Sequence, residues 1–187
     1  IAEKNGTPIL LDIDTSRLQT VTETIQAEFK IKAHGIKCDI TSEPDIQNNY
    51  KLIIRKYGRI DGLINNAANN IKMQVGDEFS PTRLEEFPLE TWKKDFDISV
   101  TGAFLCSRVF GSHMAKNGGG IIINISSDLG IIAPDQRIYA VKGLTTDHQV
   151  VKPVSYSVTK HALIGLTKYL STYWTDQGVR ANTLCPG

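Results

Sequence analysis

Tyr156 and Lys160 are the two residues of this chain whose types and spacing suit proton transfer. They lie in the run Ser155-Tyr156-Ser157-Val158-Thr159-Lys160, which opens a helical pattern through His161-Ala162-Leu163-Ile164-Gly165-Leu166. Side chains four positions apart share one face of a helix, with Cβ atoms about 5–6 Å apart. An ammonium there favours the ionised form of a phenol. A free phenol titrates near ~10, and bringing one to neutrality takes about 4 kcal/mol. One charge at about 5 Å supplies roughly 3 kcal/mol of that at an effective dielectric of ~20. Such a phenol can act as acid or base near neutral pH. The spacing alone also arises by chance, and a helical Tyr is more often packing than chemistry. The rest of the chain must decide.

The elements that would position this pair alternate along the chain. Pro8 to Ile13 is a short apolar run that reads as a buried strand, ending in Asp12 and Asp14. Asp14 or Thr15 can cap a helix over 16–32, with Leu18, Val21, Ile25 and Phe29 on one face. Residues 36–40 read as a second strand, and Ser42 caps a helix that carries Pro44 in its first turn and runs to Tyr57. Ile60 to Ala68 reads as a third strand entering a tight polar turn. Residues 69–88 have no period and read as a loop. A long helix follows from Leu89 to about Lys116, with Trp92, Phe96, Val100 and Phe110 at helical spacing. Ile121 to Ile125 is apolar throughout, as in a strand covered on both faces. A second irregular stretch spans 128–153, the Tyr156 helix runs to about Asp176, and residues 179–184 read as a fifth strand. Strand–helix alternation predicts an α/β fold: a doubly wound, parallel, Rossmann-like sheet in a single domain over 1–187.

Composition narrows the partners. A net charge of +1 in 187 residues gives no reason to expect nucleic acid or a charged membrane. No apolar run approaches the ~18 residues of a membrane span, and no signal or transit peptide is visible. Cys38, Cys106 and Cys185 are odd in number and set in apolar contexts, which reads as buried thiols in a reducing, cytoplasmic compartment. His34, His113, His148 and His161 show no ligand spacing, and no metal site is expected.

The ordered set of motifs resembles the classical short-chain dehydrogenase/reductase family. Asp39 with Ile40 looks like its adenine-contacting position. Asn65-Asn66-Ala67-Ala68 looks like its Asn-Asn-Ala-Gly turn, with Ala68 replacing Gly. Ile123-Asn124-Ile125-Ser126-Ser127 looks like the strand bearing its catalytic Ser, best matched by Ser127. Tyr156 and Lys160 match its Tyr-x-x-x-Lys pair, and Pro186-Gly187 its Pro-Gly turn. The resemblance implies hydride transfer between a nicotinamide and a carbinol or carbonyl carbon of a small molecule. Tyr156 would donate or accept the hydroxyl proton. Ser127 would hydrogen-bond the substrate oxygen, and Lys160 would support the phenolate and hold the nicotinamide ribose. Asp39, Ile40, Asn66, Ala67, Ala68, Tyr156, Lys160, Pro186 and Gly187 would contact the cofactor. Asp12, an acid at the end of the strand it closes, favours a ribose 2′-OH over a 2′-phosphate, hence NAD(H) over NADP(H). The resemblance also implies that the long helix and the Tyr156 helix pair across a homodimer or homotetramer interface.

Three departures stand out. The family's first strand and glycine-rich turn would precede Ile1, so the expectation is a piece of a longer polypeptide with a divided sheet and, alone, little affinity for NAD. Gly102 places Ser99 where the family often carries an Asn, which makes Ser99 a candidate for a water-mediated relay to Lys160. Ser127 and Tyr156 are 29 positions apart, longer than is usual. The extra stretch, 131–153, reads as a long unstructured loop, either a solvated insertion or a lid that recognises a polar, sugar-like, anionic substrate through Arg137 and a Lys. Part of it is similar to family members associated with surface-polysaccharide and flagellin-glycan synthesis. Two other functions remain open: a sugar-nucleotide epimerase or dehydratase, and a non-catalytic nucleotide-binding relative.

Overall fold

The strands form where short apolar runs end at turn residues, and every pairing is parallel. The computed structural model describes residues 1–69 and 82–187, with the Asp147 side chain excluded. Most of the expected 69–88 loop lies outside the described residues. Within it, Leu84–Glu86 is a single 3₁₀ turn. The strands make two sheets, β1-β2 and β3-β4-β5, and the chain divides into two units, Ile1–Gly58 and Arg59–Gly187.

In the first unit, β1 (Ile9–Asp12) pairs with β2 (His34–Lys37) in the register Ile9↔His34. Helix α1 (Thr15–Phe29) crosses between them. Asp14 starts it by accepting from the backbone N–H of Ser16 and Arg17, both at 3.0 Å. The helix stops three residues short of the expected 32, because Lys30 turns left-handed at φ 54°. Only Leu18 of its apolar face is buried, and Val21 is exposed. Strand β2 begins two residues before the expected 36 and ends at Lys37. Asp39 leaves the ladder because its own N–H donates to Asp45, while its carboxylate accepts from the Thr41 amide and hydroxyl. Those two bonds, hydroxyl first, hold the Asp39 carboxyl below the usual carboxylate range. Helix α2 (Glu43–Tyr57) is capped by Ser42, buries Ile46 and Ile53, and stops at Gly58, φ 75°.

In the second unit, β3 (Gly62–Asn65), β4 (Gly120–Ile125) and β5 (Val179–Leu184) lie side by side with β4 in the middle. The expected long helix is present but not uniform. It runs α3 (Leu89–Phe96), a π stretch (Asp97–Thr101), α4 (Gly102–Cys106), a second π stretch (Ser107–Gly111) and α5 (Ser112–Lys116). Helix α6 (Val154–Tyr173) ends in a 3₁₀ turn at Thr175–Gln177. The core joins Phe110, Met114, Ile122, Leu163, Leu170 and Val179. Side chains alternate across a strand. On β4, Ile122 and Asn124 are buried while Ile121 is exposed, so full coverage of the isoleucine run is not met. Cys38 and Cys106 are buried and not in disulfides, but Cys185 is only half-buried, since it follows the end of β5.

Candidate active site

The carboxyl ends of β3, β4 and β5 gather the second unit's chemistry, as open parallel sheets do. Helix α6 starts at Pro153, which supplies no side-chain cap. Lys160 lies one turn after Tyr156, with its Nζ 5.6 Å from the Tyr156 ring centroid. The ammonium donates to the carbonyl of Ile125, the last residue of β4, at 2.8 Å. Lys160 is only 6% exposed, and burial pushes its pKa down, with Lys152 adding to the shift and Cys185 opposing it.

Three contacts fix α6 at this height. Ser126 Oγ donates to the Lys160 carbonyl at 2.7 Å. Ser155 Oγ donates to Asp95 on α3 through a short hydrogen bond. The turn after β4, Asp128–Gly130, comes so close that a Cβ on Gly130 would collide with Ser126 Oγ and stand 2.9 Å from the Lys160 carbonyl oxygen. Pairing of β4 with β5 extends past both strands: the Ser126 amide donates to Leu184 and the Asp128 amide to Pro186, both at 2.8 Å. Pro186 is thereby held against the Asp128 turn.

Ser127 is 7% exposed and caps the same turn. Its hydroxyl donates to Asp128 Oδ1 at 2.7 Å and accepts from the Leu129 amide at 3.3 Å. The Ser127 hydroxyl, then the Leu129 amide, hold the Asp128 carboxyl below its usual range. Ser99 is buried in the first π stretch, which packs against α6, and among the described residues no hydrogen bond joins it to Tyr156 or Lys160. In the turn after β3, Asn66, Ala67 and Ala68 are exposed. Asn65 points inward and donates to Asn124 at 2.8 Å, and Asn69 donates to the buried Asp95 at 2.7 Å. In the first unit, Asp12 is exposed at the end of β1 with Oδ1 accepting from the Asp14 amide, while Asp39 and Ile40 follow β2, half-buried.

Residues 131–153 are not the structureless loop expected. They contain 3₁₀ turns at Gln136–Tyr139 and Thr146–His148, closed by backbone hydrogen bonds, and glutamine side chains satisfy backbone groups beside them. Gln149 bonds Val141 and Leu144, and Gln136 accepts from the Lys152 amide. Arg137 is occupied: Asp135 takes its guanidinium in a fork, at 2.8 Å from Nε and 2.7 Å from Nη2. Lys152 instead places its Nζ 3.7 Å from the centroid of the Tyr156 ring.

Sequence reasoning missed Ser126, Asp95 and the placement of Lys152. Asp95 had a faint signal, an acid one turn before Ser99 on the inward face of the long helix. Ser126 had none, since its partner is a backbone carbonyl 34 residues away.

The arrangement suits a nicotinamide nucleotide. Lys160 uses one of its three N–H groups on Ile125, leaving donors for ribose hydroxyls. The small exposed residues Ala67, Ala68 and Gly187 leave backbone within reach of a ligand.

The chain is similar to known proteins over its whole length. The short chain dehydrogenase family model matches residues 1–187. An uncharacterized oxidoreductase of Thermotoga maritima is 34% identical over 186 residues, covering 100% of this chain and 63% of that protein. Post-translational flagellin modification protein A of Campylobacter coli is 27% identical over 187 residues, covering 100% of this chain and 69% of that protein. The structure of an NAD+-bound xylitol dehydrogenase superposes with a TM-score of 0.81 at 25% identity, covering 100% of this chain and 62% of that one. The chain thus spans under two thirds of the length of the first and third of these proteins. It is a member of the short-chain dehydrogenase family.

Proposed function

We propose that the protein carrying this chain is an NAD(P)-dependent oxidoreductase acting on a polar, polyol- or sugar-like alcohol, with Tyr156 as its acid and base. The bound nicotinamide would supply the hydride acceptor or donor at its C4. Tyr156 Oη takes the hydroxyl proton during oxidation and returns it during reduction. Lys160 stabilises the negative oxygen that Tyr156 leaves behind and offers its spare donors to the ribose. Ser127 turns its hydroxyl from Asp128 to the substrate oxygen. Ser99 takes part only through a water to Lys160. Asn66, Ala67, Ala68, Pro186 and Gly187 are the cofactor-contacting candidates of the second unit, and Asp39 with Ile40 those of the first. Asp12, also in the first, accepts from a ribose 2′-OH, which favours NAD over NADP.

The observation that carries this reading is Lys160, buried and bonded to the end of β4 one helical turn from Tyr156. The polyol substrate is supported by the xylitol dehydrogenase likeness. A role in surface-glycan synthesis is supported by the flagellin modification relative. No helix among the described residues is long and apolar enough to cross a membrane, and we place the enzyme in the cytoplasm as a homodimer or homotetramer. The test is absorbance at 340 nm with the complete protein and a polyol panel, using NAD and NADP in parallel. Net NADH formation is expected, and Tyr156→Phe should reduce kcat at least 100-fold, in line with loss of a general acid–base. Turnover that survives Tyr156→Phe, or product without net NADH, as an epimerase gives, sinks the assignment.

A further inference from the structure

Among the described residues, the second cation at Tyr156 has no counter-ion. Lys152 is set in place from both sides: its amide donates to Gln136, the preceding Val151 amide donates to Thr82, and the buried Pro153 follows. Its ammonium rests on the Tyr156 ring face, a contact that offers a cation only weak compensation. Among the described residues it forms no ion pair and no side-chain hydrogen bond. Asp128, the acid that acts on it, has its Oδ1 committed to the Ser127 hydroxyl and the Leu129 amide. Burial pushes the pKa of Lys152 down, and Asp128 only partly opposes this. A half-buried ammonium with three donors and no acceptor is placed to receive an oxyanion. Arg137, the cation the sequence favours for that task, is neutralised by Asp135 and its side chain is 91% exposed.

We propose that Lys152 forms an anion subsite beside Tyr156, which selects substrates bearing a carboxylate or phosphate near the carbinol that reacts. The inference rests on the dehydrogenase reading above, but its test does not require turnover. Binding of glycerol, glycerate and glycerol 3-phosphate to the complete, NAD-loaded protein is measured by calorimetry. The wild type should bind at least one of the two anions tenfold or more tightly than glycerol, and whichever anion wins identifies the group. Lys152→Met and Lys152→Gln should lose that preference and Lys152→Arg should retain it. Lys142→Met, which removes an exposed cation of the same loop, should also retain it. A wild type with no anion preference overturns the subsite, as does a preference that survives in Lys152→Met. Loss of polyol oxidation with the anion preference intact would count against the dehydrogenase reading alone.

Discussion

At the scale of single residues, the sheet beneath the site is tied to α6 by one buried polar network. Asn124 is fully buried in the middle strand, accepts from Asn65 on β3 and donates to Thr167 on α6. Thr167 Oγ1 also accepts from Thr183 on β5 and donates to the Leu163 carbonyl, so its hydroxyl has used both lone pairs and its proton. One network therefore ties all three strands of this sheet to the helix bearing Tyr156. A slip of one residue in β4 would turn Asn124 to the other face and take it from both of its partners, Asn65 and Thr167. Replacing Asn124 by Leu keeps the branched shape but leaves the Asn65 amide with only its Ser107 and Ala103 acceptors and a Thr167 lone pair unmatched. An unmatched buried group costs about 1–3 kcal/mol, so denaturant unfolding of Asn124→Leu should show a loss of that size. An unchanged unfolding midpoint would mean that the network is not holding the sheet.

At the scale of elements, the legible part came from local chemistry. Asp14 and Ser42 cap their helices as their positions require, and Tyr156 and Lys160 share a face because α6 is a regular helix there. The two π stretches were not legible. An extra residue per turn leaves the apolar spacing of Trp92, Phe96 and Val100 nearly intact while shifting the register of the later turns. The Asn65–Asn124 bond spans 59 residues, and no periodicity encodes a pairing at that distance. The order within 131–153 was hidden likewise, because it comes from short backbone turns with Asp135 and glutamine side chains bonding the backbone, and not from a hydrophobic period. The same scale supplies a test of how α6 is seated. Gly130→Ala puts a methyl against Ser126 and the Lys160 backbone, where no flexible side-chain tip can yield alone. Overpacking of this kind costs about 1–3 kcal/mol, and the displaced part is the Tyr156–Lys160 turn. Thermal unfolding should fall by that amount and kcat/KM at least tenfold. Wild-type kinetics in this variant would show that the turn can move without disturbing the site.

At the scale of the whole molecule, the outward face of the second unit raises the question of assembly. Tyr169 and Tyr173 are 61% and 58% exposed and stack with centroids 5.4 Å apart, and Tyr173 meets Trp174 edge-on. On α4, Phe104 is 45% exposed with Arg108 over its ring. Single exposed aromatics are ordinary, whereas neighbouring ones such as Tyr169 and Tyr173 have the composition of interface centres. A net charge of +1 offers little long-range repulsion to keep copies apart. The homodimer or homotetramer proposed above would use this surface, and a two-fold interface would bring the same residues together from both copies. Tyr169→Ser with Tyr173→Ser leaves the core untouched, since neither side chain is buried. Analytical ultracentrifugation of the complete protein at micromolar concentration should then show a smaller species than the wild type, with the far-ultraviolet circular dichroism unchanged. A wild type that sediments as a monomer, or a double variant that keeps the wild-type mass, would assign these aromatics to something other than self-association.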